Sequence, residues 1–109
     1  MRAFKKRLKN ITSTLCGSWI ASESSYNSEI MSRAGFDALF IDCEHTALQF
    51  SDIFHHVQAA SIRDDIGIFV RVPMIDKSYI KKVLDIGITG IVFPNVETKE
   101  NLVIVIQII

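Results

Sequence analysis

An α/β fold built on a parallel sheet is what this sequence predicts, and three observations predict it. Short apolar runs alternate with segments of helical periodicity. The alternation repeats at a step of roughly 25 residues, the size of a strand–helix unit in a right-handed βαβ arrangement. Polar or chemically useful residues then gather where the runs end: Trp19, Asp42 to His45, Arg71, and Asn95 to Glu97. In parallel sheets, that carboxyl-terminal edge is where ligands bind.

Taken in order, MRAFKKRLKN carries five of the twelve basic residues, and no acid precedes Glu23. Phe4, Leu8 and Ile11, spaced i, i+4, i+7, predict a short amphipathic helix rather than a transit peptide. No apolar segment of signal-peptide type follows it. STLCGSW (13–19) reads as a short strand. YNSEIMSRAG (26–35) places Tyr26, Ile30 and Ala34 four apart with Met31 beside them, a helix that stops on Gly35. ALFID (38–42) is a continuous apolar run, the mark of a strand covered on both faces. FSDIFHHVQAAS (50–61) is a helix with Phe50, Ile53, Phe54, Val57 and Ala60 as its stripe. IGIFVRV (66–72) is a second buried strand. DKSYIKKVLDIG (76–87) is a helix with Asp76 as N-cap, Ile80, Val83 and Leu84 as stripe and Gly87 as stop. GIVFP (90–94) is a further strand.

Composition narrows the classes. With 49% apolar and 22% charged residues, a packed core is expected rather than disorder. The length, 109 residues, suits one domain. A formal net charge of zero argues against nucleic acid or an anionic membrane surface as partner. The terminal LVIVIQII is too short to span a bilayer. Cys16 and Cys43 match no metal spacing and are expected to be reduced thiols of a cytoplasmic protein.

Pattern alone leaves the kind of α/β fold open. A doubly wound phosphate-binding sheet usually carries a glycine-rich turn after its first strand, and the five glycines here are isolated. An (α/β)8 barrel takes about 250 residues, so four units would make half of one.

Four segments resemble the HpcH/HpaI aldolase/citrate lyase family: GSWI, EIMSRAGFDALFIDCEH, FVRVP and KKVLDIGITGIVFPNVET. They run in the family's order and spacing over about residues 4 to 100. The resemblance implies the (α/β)8 TIM barrel of the phosphoenolpyruvate/pyruvate superfamily, here a truncated half-barrel of about four βα units. It implies a metal-dependent class II aldolase that cleaves 4-hydroxy-2-oxo acids to pyruvate and an aldehyde, with Mg²⁺, Mn²⁺ or Co²⁺ as cofactor. His45 matches the catalytic base and Asp42 the carboxylate paired with it. Arg71 matches the arginine that holds the pyruvate oxygens, and Trp19 an aromatic residue near the substrate. Glu44 is expected in the substrate-binding region, either behind the residues that touch the substrate or against a metal-bound water.

The residue types suit that chemistry. Retro-aldol cleavage needs a base for the 4-hydroxyl proton and a sink for enolate charge. Histidine serves the first near neutral pH, contributing about 10²–10⁴-fold in rate. Asp42 would hold one ring nitrogen and set the tautomer. Arg71 offers a fixed fork of donors to the enolate and carboxylate. Structural readings stand beside these: Asp42 and His45 as a strand-end turn, Arg71 as an ion-pair partner of Asp42 or Glu44, Trp19 as core. His55 and His56 are expected in solvent, and Glu97 near a helix N-terminus.

The family's metal is held by a Glu and an Asp from later strands, which no residue here matches. LVIVIQII, rich in β-branched residues, is expected to fit a helix face poorly. Half a barrel would leave unpaired strand edges and self-associate as a homo-oligomer. The isolated chain is therefore expected to be inactive. Two alternatives are a non-catalytic, self-associating half-barrel module and a citrate-lyase-like carbon–carbon lyase.

Overall fold

The computed structural model describes residues 2–109. The chain alternates helix and strand throughout: α1 (Arg2–Lys9), β1 (Gly17–Ile20), α2 (Tyr26–Ala34), β2 (Ala38–Asp42), α3 (Phe50–Ala60), β3 (Gly67–Arg71), α4 (Lys77–Asp85), β4 (Gly90–Val92) and α5 (Lys99–Ile108). The strands form one parallel sheet in chain order, β1-β2-β3-β4. The expected four-unit parallel array is what the chain builds.

Side-chain alternation gives the sheet two different faces. On one, Ile20, Leu39, Ile41, Ile68 and Val70 are buried in a core with Ile53, Val57 and Ala60 of α3 and Ile80 and Val83 of α4. Full burial of each large aliphatic side chain contributes about 1.5–3 kcal/mol. On the other face, register places Trp19, Phe40, Phe69 and Gly90 in one row. The Trp19 and Phe40 ring centroids are 5.2 Å apart, and Phe40 and Phe69 stack at 5.1 Å. Phe4 of α1 meets Phe69 edge-on at 5.8 Å, at the amino-terminal end of the sheet. Gly67 makes that contact possible, because a Cβ there would lie 2.8 Å from the Phe4 ring.

Helix ends follow local chemistry. Gly35 closes α2 with φ of 99°, in the left-handed region where glycine has no Cβ penalty. Asp76 caps α4 by accepting from the Tyr79 amide at 2.8 Å.

Several expectations about faces and ends are corrected. β1 begins at Gly17 rather than residue 13, because pairing with β2 starts at Gly17↔Ala38. Phe4 of α1 is buried, while Leu8 and, beyond the end of the helix, Ile11 are exposed. In α2 the predicted stripe points outward except for Met31, which packs against the core: Tyr26 and Ile30 are exposed, and Ser28 and Ser32 are buried. Small serines let α2 approach α3 closely, Ser32 Oγ donating to Ala60 O at 2.9 Å. Phe50, Phe54 and Leu84 are likewise exposed. His56 is fully buried rather than in solvent, while His55 is exposed as expected. The terminal segment is helical after all. Thr98 and Asn101 form a capping box that fixes the start of α5. Burial of Val105 and packing of Ile108 against the core add to the cap in offsetting the β-branched penalty of a few tenths of a kcal/mol per residue. Among the described residues, no helix is long and apolar enough to cross a membrane.

Candidate active site

Strand β2 runs apolar until Asp42, whose register partner on β3 is Arg71. That pairing brings two opposite charges side by side at the carboxyl-terminal edge. Arg71 donates from Nε to Asp42 Oδ1 at 2.9 Å and from Nη2 to Oδ2 at 2.8 Å, a two-point fork. Asp42 Oδ1 also accepts the backbone amides of Glu44 at 3.0 Å and His45 at 3.4 Å, which turns the chain sharply after the strand. Thr46 Oγ1 closes the turn by donating to Asp42 O. The Arg71 guanidinium beside it, and then these two amides, hold the buried Asp42 carboxyl down at about 2 against the opposing effect of burial.

The face of Arg71 lies over the Trp19 ring, with Cζ 4.6 Å from its centroid. Trp19 is therefore neither core nor free: it is half-exposed and serves as the platform on which the guanidinium rests. Among the described residues, Arg71 Nη1 has no hydrogen-bond partner. The arginine is fixed on one edge and one face while keeping a donor group to offer.

Glu44 completes the cluster. Its Oε1 is 3.2 Å from His45 Nε2 and 3.4 Å from Arg71 Nε, and its side chain is largely buried. The His45 ring projects outward, 71% exposed. The expected Asp42–His45 ring contact is not formed. Asp42 meets His45 through the backbone amide, its oxygens being spent on Arg71, and Glu44 touches the ring instead. All five residues expected at the site, Trp19, Asp42, Glu44, His45 and Arg71, come together at one end of the sheet. Glu97 lies at the same edge, exposed ahead of α5, its amide donating to Asn101 Oδ1 at 3.4 Å.

Behind the rim, burial pushes the Cys43 thiol up to about 11, and burial followed by the Cys43 contact pushes the Tyr79 hydroxyl up to about 12. Both are neutral packing groups. Cys16 and Cys43 are free thiols. Among the described residues, no group of three or more His, Cys, Asp or Glu is placed to hold a metal ion. Both rim carboxylates are engaged, Asp42 by Arg71 and Glu44 by Arg71 and His45, so the residues present do not fit a metal centre on their own.

Comparison with known proteins agrees with the fold. The family model for HpcH/HpaI aldolase/citrate lyase matches residues 15–109. The chain is 33% identical over 107 residues to 4-hydroxy-2-oxovalerate aldolase of Rhodococcus jostii, covering 98% of this chain and 41% of that protein. It is 39% identical over 101 residues to hydroxypyruvate/pyruvate aldolase of Roseobacter denitrificans, covering 93% of this chain and 39% of that protein. Among solved structures, an HpcH/HpaI aldolase/citrate lyase family protein from Burkholderia cenocepacia superposes with a TM-score of 0.86 at 28% identity, covering 99% of this chain and 42% of that one. The chain thus spans about two-fifths of the length of the relatives it matches.

Proposed function

This chain belongs to the HpcH/HpaI aldolase/citrate lyase family, and on that premise we propose that it forms the amino-terminal half of a class II aldolase barrel, residues 1–109 acting as one domain. The reaction is cleavage of a 4-hydroxy-2-oxo acid to pyruvate and an aldehyde. One observation carries the reading: Arg71, clamped by Asp42 and seated on Trp19 with Nη1 unspent, stands at the same strand edge as an exposed histidine. A held guanidinium binds a 2-oxo acid carboxylate and stabilises the enolate that forms as the carbon–carbon bond breaks. His45, open to the rim, takes the 4-hydroxyl proton. Trp19 and Glu44 border the bound acid.

A divalent ion, Mg²⁺, Mn²⁺ or Co²⁺, would supply further charge stabilisation in the complete enzyme, and its ligands would have to come from the rest of the barrel. On this reading the 109-residue chain alone does not turn over, and the enzyme works as a cytoplasmic homo-oligomer. The experiment is pyruvate release from a 4-hydroxy-2-oxo acid with added Mn²⁺. It compares the chain alone with the chain joined to the carboxy-terminal portion of a full-length relative. Turnover by the joined protein alone supports the reading. Turnover by the isolated chain would mean that the metal site has been misplaced, and none by either would sink the aldolase assignment.

A second reading has its own observation. α5 exposes Leu102, Val103, Ile104 and Ile106, and Ile109 follows, an apolar surface of the kind that drives association. A non-catalytic, self-associating module would show concentration-dependent assembly and no turnover in either form. A citrate-lyase-like reaction would use the same rim with a different acceptor and would appear as activity on a citrate-type acid instead.

A further inference from the structure

The fully buried His56 has no part in the chemistry proposed above, yet both of its ring nitrogens are engaged. Nε2 lies 2.8 Å from the carbonyl oxygen of Ser22, and Nδ1 lies 2.7 Å from Ser28 Oγ. A carbonyl oxygen only accepts, so Nε2 carries the proton, and Nδ1 accepts from the Ser28 hydroxyl. That pairing fixes one neutral tautomer. Burial holds the ring's proton affinity below the ordinary histidine range, against the opposing influence of the Ser22 carbonyl and of Asp52 on the same helix; His55 adds to the lowering.

Ser22 matters because of where it sits. It lies in the connection from β1 to α2, three residues after Trp19, the platform under Arg71. The same serine organises that connection: its Oγ accepts from the Asn27 side chain at 2.7 Å and from the Ser24 amide at 3.1 Å. Thus a side chain from α3 reaches under α2 and ties down the loop that leaves the site's aromatic wall.

We propose that His56 is a positioning residue, whose Nε2–H to Ser22 hydrogen bond locks the β1–α2 connection and through it the Trp19 wall of the 2-oxo acid site. This rests on the functional reading above for the identity of the ligand, while the lock itself is independent of it. Glutamine at 56 can keep a donor for the Ser22 carbonyl and an acceptor for Ser28. Leucine keeps the bulk and supplies neither.

The experiment uses the full 109-residue chain. Nitrogen-15 NMR of the unaltered protein should show His56 as the neutral Nε2–H tautomer; an Nδ1–H tautomer overturns the proposal without any substitution. Hydrogen exchange at the Ser24 amide should quicken at least about tenfold in His56→Leu, the scale of one lost buried hydrogen bond, and stay within about twofold in His56→Gln. Equal exchange in all three proteins overturns the lock, as does failure of His56→Gln to rescue it. In a separate arm, pyruvate titration is followed by fluorescence of Trp19, the single tryptophan. A pyruvate response in the unaltered chain that weakens in His56→Leu and returns in His56→Gln supports the proposal, and a response unchanged in His56→Leu overturns its link to the site. A missing response in the unaltered chain counts against the functional reading, and the tautomer and exchange results still decide the lock.

Discussion

The two ends of strand β2 carry the same pair of residue types and put them to different use. At the amino-terminal end, Asp37 takes Arg7 of α1 and the Cys16 amide, the latter at 2.7 Å. Arg7 also reaches Asp65, and Arg63 bridges Asp65 and the carbonyls of Ser32 and Phe36 at 2.9 and 2.8 Å. At the carboxyl-terminal end, Asp42 takes Arg71. The arginines below have both amino groups engaged by chain carbonyls and carboxylates, so they staple α1 and the loops between α2, α3 and the sheet. The arginine above is held by one carboxylate fork and one aromatic face, with a donor group left over and a histidine beside it. The lower end even opens on a cavity of about 330 Å³, lined by Arg63, Asp64, Ser61 and Thr89 among others. Engagement of the donors, rather than charge or concavity, distinguishes a site from a staple. It is the division parallel barrels show between a reactive and a stabilising end.

Substitutions at each end should separate stability from chemistry. The largest effect is expected from Phe4→Ala, which empties the aromatic contact under Gly67 and Phe69. It should lower stability by about 3–5 kcal/mol in urea titration, enough to unfold much of a marginal chain. A loss below about 1 kcal/mol would mean that α1 is not part of the cooperative core. Next, in the chain joined to the remainder of a relative, His45→Ala should lower kcat at least about 10²-fold, equivalent to about 2.7 kcal/mol. The exposed His55→Ala should leave it unchanged. Loss of activity in His55→Ala with His45→Ala intact would break the assignment of the rim.

A smaller effect comes from acid. Asp37 is held below the ordinary carboxylate value chiefly by the Cys16 amide, and Asp42 at about 2 chiefly by Arg71. Both native values are depressed, so the stability they contribute is fully present above about pH 4, near the unfolded value, and is lost as pH falls toward about 2. The urea midpoint should fall across that window, and Asp37→Asn and Asp42→Asn should each flatten part of the fall. A midpoint that stays level, or rises, on acidification contradicts the ion pairing at both ends.

Much of this was legible in the sequence, for definite reasons. The period of strands and helices and the charged cluster after ALFID are local patterns, and they located the sheet, its carboxyl-terminal edge and the five residues gathered there. What failed depended on neighbours. Tyr26 and Ile30 have helical spacing, but the close approach of α3 selected the opposite face of α2, where Ser28 and Ser32 fit. His56 reads as polar flank until the Ser22 carbonyl and Ser28 hydroxyl are found waiting for it. Asp42 was expected to orient the His45 ring, but strand register had already placed Arg71 opposite it. Spacing along the chain could not show that competition.

The division between the two ends is tested most directly by one matched substitution, arginine to lysine, made at each. Lysine keeps the charge but loses the planar fork and the stacking face. In the joined protein, Arg71→Lys should cut kcat/KM at least about tenfold and lower the urea midpoint no more than Arg7→Lys does. Arg7→Lys should lower the urea midpoint and leave kcat/KM within about twofold. The reverse result, with kcat/KM lost at Arg7 and kept at Arg71, would contradict the account.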